Sequence, residues 1–241
     1  MKILAANFKM NLTLNEINEY IDKIKDIDNK NIVLIPSNIY IPYFLNKKFS
    51  VGVQDAYYLD NGAFTGEVSA KQISSLGVNY AIIGHSERRM YFNETNDILN
   101  KKILSCESNG LKVIYCIGET KEERESNKTK EVLLKQLDEG LKGASEVIIA
   151  YEPRWAIGTN VTPTNEEIED IISFIKSKYN YKVLYGGSTN DKNIASLNTI
   201  SNVDGFLVGG ASLDYDKFKK MIEIVFWQFF LSFSTKFDKT S

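Results

Sequence analysis

The chain of 241 residues has one histidine, two cysteines and four prolines, and neither sign of charge is in strong excess. A net charge of -2 excludes the broad basic surface that nucleic acid or an anionic membrane would need. Cys106 and Cys116 cannot form a disulfide framework, which favours a reducing compartment. No apolar run approaches the ~20 residues that span a bilayer, and the opening MKILAANFKMN lacks the features of a signal peptide. We therefore expect a soluble, cytoplasmic protein that binds neither nucleic acid nor a membrane.

Eight short apolar runs have the length and β-branched content of strands, and most lack polar alternation, as strands covered on both faces do. Segments with helical spacing separate them, without a Pro/Gly/Ser-rich linker. This alternation predicts an α/β fold and favours a closed (β/α)₈ barrel, in which helices ring eight parallel strands, as one domain over residues 1–225. An open doubly wound sheet is less favoured because no GxGxxG follows a strand. The predicted strands are residues 3–8, 32–36, 50–54, 80–84, 112–116, 147–151, 182–186 and 204–209.

Polar residues are concentrated at the ends of these runs, where a barrel carries its active site. Asn7 and Lys9 lie two positions apart, so on an extended strand their side chains point the same way. A lysine there would neutralise a phosphate or a developing oxyanion, although a surface lysine is the simpler interpretation of this motif alone. Two glycine-rich turns, YGGS at 185–188 and LVGGAS at 207–212, follow the last two strands. Backbone N–H groups in such turns bind anions, so we expect a phosphate there.

His85 is the only histidine, and it directly precedes SERR, where a short helix is expected to begin. An imidazole against a helix N-terminus resists protonation, and in its neutral form it can polarise a carbonyl. A histidine satisfied within the core is an equally good interpretation.

Glu152 ends the apolar strand 147–151, in the stretch AYEPRWAIGTN. A carboxylate that loses solvation in this way suits a general base, although a salt bridge to Arg154 is an alternative. The following segment has Pro153 at one end, Gly158 near the other and an apolar tip between them. This composition predicts a lid that covers the carboxylate and excludes water; a static surface turn is the alternative.

Seven motifs occur in order through nearly the whole chain, and together they resemble the triosephosphate isomerase family. They are NFKMN, GAFTGE, IIGHSERR, YCIGE, AYEPRWAIGT, YGGS and GFLVGGASL. The resemblance implies the TIM-barrel fold and the interconversion of dihydroxyacetone phosphate and D-glyceraldehyde 3-phosphate through an enediolate. This reaction, a step of glycolysis and gluconeogenesis, needs no cofactor and no metal. The rival interpretations are another sugar-phosphate isomerase and a catalytically silent phosphate-binding scaffold.

The resemblance also implies a role for each matching residue. Glu152 would be the base that removes the proton beside the carbonyl, and His85 would polarise that carbonyl. Lys9 would stabilise negative charge, and Asn7 would hydrogen-bond the substrate oxygen. The backbone N–H groups expected to bind the phosphate are those of Gly158, Ser188, Gly209 and Gly210, and the residues expected to support the site from behind are Ser86 and Glu87.

The GAFTGE loop, residues 62–67, implies a homodimer, because this loop inserts beside the active site of a second copy in the family. Phe64 and Thr65 form its tip, and Thr65 would help to position Lys9 or Glu87. An ordinary turn is the alternative.

Four features depart from the family pattern. Arg154 stands where an aliphatic residue is common, Asn160 replaces a usual glycine, and Asp55 stands where asparagine is frequent. The end of the chain, residues 226–241, is a Phe-rich extension that we expect to continue the last helix. Its members Phe226, Phe229, Phe230 and Phe233 are expected to pack against the barrel, and an exposed apolar tail is less favoured.

Overall fold

A computed structural model describes residues 1–156 and 162–226 of the chain. Within these ranges eight strands close into a barrel in sequence order, and every neighbouring pair is parallel. The predicted (β/α)₈ barrel is therefore confirmed, with each strand within one or two residues of its predicted bounds. The strands are β1 Ile3–Asn7, β2 Ile32–Ile35, β3 Ser50–Val53, β4 Tyr80–Ile83, β5 Lys112–Ile117, β6 Val147–Tyr151, β7 Lys182–Tyr185 and β8 Gly205–Val208.

The strands read as continuous apolar runs because both of their faces are buried. Along β1, for example, Ile3 and Ala5 pack inside the barrel with Val33, whereas Leu4 and Ala6 pack against the surrounding helices. Successive strand side chains point to opposite faces. Because one face meets the barrel interior and the other meets the helices, polar positions do not alternate with apolar ones along the strand. Burial on both faces fixes the position of each strand along the barrel axis, and the site lies at the strand ends.

Ten α-helices surround the strands within the described ranges, together with three short 3₁₀ helices. Thr164 caps the helix at 165–178 with a reciprocal bond from Glu167, as the sequence predicts. The α-helices are α1 Leu14–Ile24, α2 Ile41–Phe44, α3 Ala70–Ser75, α4 Ser86–Tyr91, α5 Asn96–Ser108, α6 Lys121–Glu125, α7 Thr129–Gly140, α8 Asn165–Lys178, α9 Ile194–Leu197 and α10 Tyr215–Phe226. The 3₁₀ helices are Asn38–Tyr40, Arg154–Ala156 and Gly210–Leu213.

Several predictions fall on residues outside the described ranges. They concern part of the expected lid, with Gly158 and Asn160, and the extension after Phe226, with Phe229, Phe230 and Phe233. Phe226 itself ends α10 and packs, partly buried, against the core. No helix in the part of the chain that the structure describes is long and apolar enough to cross a membrane.

Candidate active site

The C-terminal ends of five strands surround a cavity of about 280 Å³, which we call the mouth cavity. It brings together every described residue that the sequence analysis assigned to substrate or phosphate, although these residues are scattered along the chain. The predicted residues that line it are Asn7, Lys9, His85, Glu152, Ser188, Gly209 and Gly210, and the additional lining residues are Gly186, Gly187, Thr189, Asn190, Leu207 and Ala211.

Glu152 is only 2% exposed and lies immediately after β6. Its Oε2 accepts a hydrogen bond from the Ser86 backbone N–H at 3.1 Å, and its Oε1 lies 3.2 Å from His85 Nε2. Among the described ion pairs Glu152 is paired with His85 and not with Arg154, so the alternative salt bridge is not formed. The carboxylate therefore ends at the first turn of α4, beside the imidazole.

His85 is the N-cap residue of α4, as the sequence predicts for the start of a helix. Its Nδ1 accepts the backbone N–H of Glu87 at 3.2 Å, so this nitrogen carries no proton. The proton of the neutral imidazole is consequently on Nε2, the nitrogen that faces Glu152. His85 is thus arranged to donate a hydrogen bond into the mouth cavity.

A close-packed wall behind Glu152 was missed by the sequence analysis. The Cys116 thiol is fully buried, close to the Glu152 carboxylate. Burial first, and the negative charge of this carboxylate second, raise the pKa of Cys116 well above its usual value, so the thiol stays protonated. A Cβ at Gly186 would lie 2.9 Å from Glu152 Cγ, and one at Gly118 would lie 1.7 Å from the Glu152 carbonyl oxygen. The signal available in the sequence was the two glycines themselves, in YCIGE and YGGS.

Lys9 reaches the mouth cavity by a different route from the one predicted. Strand β1 ends at Asn7, and Lys9 has a left-handed backbone with φ 52°, so strand alternation does not orient it. The turn is held by the Asn7 side chain, whose Oδ1 accepts the Lys9 N–H at 3.0 Å, and by Gln54 Nε2, which donates to the Lys9 carbonyl at 2.8 Å. Lys9 Nζ then pairs with Glu87 Oε1 at 2.7 Å. The conformation costs backbone free energy that these contacts offset.

The glycine-rich turns after β7 and β8 form the opposite wall. A Cβ at Gly187 would lie 2.2 Å from the Tyr185 hydroxyl, which explains the glycine at this position. Gly209 lies beside Lys9, since a Cβ on it would be 3.4 Å from Lys9 Cε. A positive side chain and two glycine turns therefore meet at one end of the cavity, which is an arrangement that binds anions. In the described residues no group of three or more His, Cys, Asp or Glu side chains is placed to hold a metal.

The first residues of the expected lid contact the barrel. Trp155 Nε1 donates to Glu119 Oε1 at 2.8 Å, and the Tyr151 hydroxyl donates to the same oxygen at 3.1 Å. The Arg124 guanidinium lies 3.9 Å from the centre of the Trp155 ring. Trp155, at the start of the predicted apolar tip, therefore contacts both Glu119 and Arg124.

The fold and the site define a class: (β/α)₈ barrel enzymes that bind a phosphate and carry out acid–base chemistry at the C-terminal ends of their strands. Comparison with known proteins narrows this class to a single family. The family model TIM, described as triosephosphate isomerase, matches residues 2–225. The chain belongs to the triosephosphate isomerase family.

Individual relatives agree with this assignment. The triosephosphate isomerase of Thermodesulfovibrio yellowstonii is 43% identical over an alignment that covers 92% of this chain and 98% of the relative. That of Thermoanaerobacter pseudethanolicus is 42% identical over 91% of this chain and 98% of the relative. That of Wolbachia sp. subsp. Brugia malayi is 41% identical over 92% of this chain and 97% of the relative.

Proposed function

We propose that the mouth cavity is the active site with which the chain carries out the activity of its family, the interconversion of dihydroxyacetone phosphate and D-glyceraldehyde 3-phosphate, in glycolysis and gluconeogenesis. One observation carries the proposal: Glu152 Oε1 and His85 Nε2 lie 3.2 Å apart in a cavity that also holds the two glycine-rich turns. The pair supplies a base and a proton donor within reach of one small substrate, and the turns supply donors for its phosphate.

Glu152 takes the proton from C1 of dihydroxyacetone phosphate. The electron pair of the broken C–H bond forms the C1–C2 double bond, and negative charge develops on the C2 oxygen. His85 donates its Nε2 proton to that oxygen and recovers a proton from the C1 hydroxyl, while Glu152 returns its proton to C2. The product is the aldehyde, and the hydrogen has moved between neighbouring carbons without an electron acceptor.

The Nε2–H of His85 faces Glu152 in the described geometry. A substrate carbonyl that replaces Glu152 as the acceptor of this hydrogen bond frees the carboxylate for the neighbouring carbon. Ser86 holds the carboxylate through its backbone N–H, and Glu87 holds both His85 and Lys9. We assign Ser86 and Glu87 to support of the site for this reason.

Lys9 and Asn7 act on the charge that develops. The Lys9 ammonium, between Glu87 and Gly209, stabilises the enediolate and the phosphate. Because Asn7 Oδ1 accepts the Lys9 N–H, its Nδ2 is the amide donor for a substrate oxygen. The phosphate is bound by backbone N–H groups, which are those of Gly158, Ser188, Gly209 and Gly210; of these, Gly158 lies outside the described residues.

A homodimer is part of the proposal. Large apolar side chains are exposed in the segments that follow β1 to β4, and a groove of about 560 Å³ beside the mouth cavity is lined by some of them. Exposed apolar surface of this kind marks a protein interface. The loop with Phe64 and Thr65 from a second copy is the proposed occupant of the groove, where Thr65 would contact Lys9 or Glu87. The exposed side chains are Met10, Ile39, Phe64, Met90, Tyr91 and Phe92.

Three further points stay proposals. We place the protein in the cytoplasm, consistent with the buried free thiols of Cys106 and Cys116. We take residues 1–225 as the single barrel domain. We take residues 226–241 as an extension that continues α10.

The test is a coupled assay of D-glyceraldehyde 3-phosphate conversion by the wild type, Glu152→Gln and the exposed control Glu131→Gln. We expect kcat of Glu152→Gln to fall by about 10²- to 10⁴-fold, the contribution of a positioned base, with an unchanged circular dichroism spectrum, whereas the control keeps wild-type turnover. An inactive wild type that still binds phosphoglycolate would instead support the silent scaffold. Turnover of a different sugar phosphate only would support another isomerase.

A further inference from the structure

Four charged side chains form a closed ring of ion pairs outside the mouth cavity, and one of them, Arg88, belongs to helix α4. Arg88 Nη2 lies 3.0 Å from Asp55 Oδ2, and Arg88 Nε lies 2.8 Å from Glu94 Oε1. Lys102 Nζ donates to Asp55 Oδ1 at 2.8 Å and to Oδ2 at 2.7 Å, and it also pairs with Glu94. The Lys102 and Glu94 side chains are buried, and those of Asp55 and Arg88 are partly buried. The ring therefore holds two cations and two carboxylates with little contact with water.

Asp55 is the member that makes this ring neutral. With an amide at this position Arg88 and Lys102 would share the single carboxylate of Glu94. Glu94 Oε2 has no hydrogen-bond partner in the described part of the chain. Glu94 therefore contacts the two cations through only one of its oxygens. The proposed catalytic residues do not explain why the ring contains this second carboxylate.

Arg88 connects the ring to the active site, because it belongs to the first turns of α4. The same short helix begins with Ser86, whose N–H holds Glu152, and it is capped by His85. On the opposite side Arg89 fixes the helix to the barrel, with bonds to the carbonyls of Gly84 at 2.9 Å and Cys116 at 3.0 Å. Helix α4 is therefore held by two arginines, one anchored on the strands and one anchored on Asp55 and Glu94.

We propose that Asp55 is a positioning residue for the isomerisation: its ionised carboxylate, acting through Arg88, holds α4 where Ser86 and His85 meet Glu152. This inference rests on the proposed function. Loss of the negative charge leaves two cations facing one carboxylate and removes one anchor of Arg88. The first turn of α4 then moves relative to β6, and small displacements of a base and its proton donor lower the rate of a proton transfer strongly.

The electrostatics separate this role from simple stabilisation. Burial first raises the pKa of Asp55, from 3.8 to about 6, against the opposing effect of Lys102 and Arg88 and with the help of Glu94. The groups that face the carboxylate are thus Lys102 on α5, Arg88 on α4 and Glu94 between them, with the Cys106 thiol on α5 also near. The ionised form is the unfavourable one for folding, so stability alone does not account for a charge here. The carboxyl also titrates close to neutral pH.

The test compares kcat and KM of the wild type and Asp55→Asn from about pH 5 to about pH 8. An amide has the shape and charge of the protonated carboxyl, and titration of the substrate phosphate and of the catalytic groups affects both proteins alike. The ratio of their kcat values therefore isolates Asp55. We expect Asp55→Asn to be about three- to tenfold slower at the upper pH, equal to the wild type at the lower pH, and unchanged in KM.

Two further variants keep the test decisive. Asp97→Asn removes an exposed pair with Lys101, 2.7 Å long, and should give a ratio near unity at every pH. In an Arg88→Met background, Asp55→Asn should have no further effect on kcat, because Asp55 acts through Arg88. A ratio that does not change with pH, or losses that multiply in the double variant, would overturn the proposal. An inactive wild type would instead refute the proposed function itself.

Discussion

The Ser86 backbone N–H donates a hydrogen bond of 3.1 Å to Oε2 of Glu152, and this bond joins the first turn of α4 to the end of β6. On its other oxygen the same carboxylate meets His85 Nε2. The proposed base, Glu152, is therefore held by a helix that follows a different strand, and its position depends on how the barrel closes.

Gly186→Ala should lower activity far more than stability. The added Cβ would lie 2.9 Å from Glu152 Cγ, a side-chain atom that can yield, so Glu152 moves and kcat falls by about tenfold or more. Gly118→Ala is the contrasting variant, since its Cβ would lie 1.7 Å from the Glu152 carbonyl oxygen, which is backbone. That variant should lower the thermal midpoint strongly. Wild-type kcat in Gly186→Ala would contradict the packing described for Glu152.

Lys9→Met should reduce kcat by about 10²- to 10³-fold, the cost of losing one preorganised group that stabilises an oxyanion. It should also raise KM, because the same ammonium lies beside Gly209 at the phosphate end. Lys101→Met is the matched control: Lys101 also forms a 2.7 Å pair with a carboxylate, but on the exposed face of α5. Equal effects of the two changes on steady-state kinetics would show that Lys9 has no special role.

Phe64→Asp should shift a dimer towards monomer and lower activity with it. Phe64 is 38% exposed at the tip of the proposed interface loop, where it packs on Tyr57 with ring centres 4.8 Å apart. Sedimentation velocity at micromolar concentration measures the effect. Leu76→Asp places the same charge at an apolar residue that is 50% exposed but lies outside the proposed interface, so it should leave the sedimentation coefficient unchanged. A fully active wild-type monomer is the result that refutes the dimer.

Neither cysteine should react with a thiol reagent in the folded protein. Burial raises the pKa of Cys106 to about 12 and that of Cys116 well above its usual value, and only a thiolate reacts. Titration with Ellman's reagent at mildly alkaline pH should therefore detect no fast thiol before denaturation. After addition of guanidinium chloride it should detect the two thiols of the sequence. A fast-reacting thiol in the native protein would contradict the burial of Cys106 or of Cys116.

The Asp55→Asn variant should become more stable to unfolding, relative to the wild type, as the pH rises. Since the pKa of Asp55 is raised from 3.8 to about 6 in the folded chain, the folded state binds this proton more tightly than the unfolded state. The contribution of Asp55 to the free energy of unfolding is therefore most favourable below about pH 4, and it is lost as the pH rises through about 6.

Urea denaturation at about pH 5 and about pH 7.5, at one protein concentration, measures this difference between the variant and the wild type. The variant should gain relative to the wild type at the higher pH. A difference that is constant, or that changes in the opposite direction, would be inconsistent with the burial of this carboxylate.

Much of the fold could be predicted from short-range features. Strands buried on both faces need continuous apolar runs, so all eight were visible in the sequence. The helix after His85 and the Thr164 cap were visible as well, because capping depends on residues only a few positions apart. Seven of the cavity residues were identified for a related reason: they lie at or after the ends of apolar strands, where a barrel carries its active site.

The ion pairs of the interior could not be predicted in this way. Lys102 lies on the buried side of α5, where apolar periodicity leads one to expect a hydrophobic side chain, and its partners Asp55 and Glu94 belong to other segments. A buried cation is stable only beside carboxylates that the tertiary fold brings to it. Periodicity along one element contains no information about such partners.

The sequence by itself determined the order of strands and helices and the glycine turns, because these depend on local propensity, and its motifs pointed to the candidate reactive groups. Only the tertiary structure decided which atoms meet: the left-handed turn that brings Lys9 to Glu87, the Cys116 thiol behind Glu152 and the ring that anchors Arg88. These contacts join residues far apart in the chain. Their geometry is set when parallel strands pair in register and close the barrel, and only then do burial and charge act on each group.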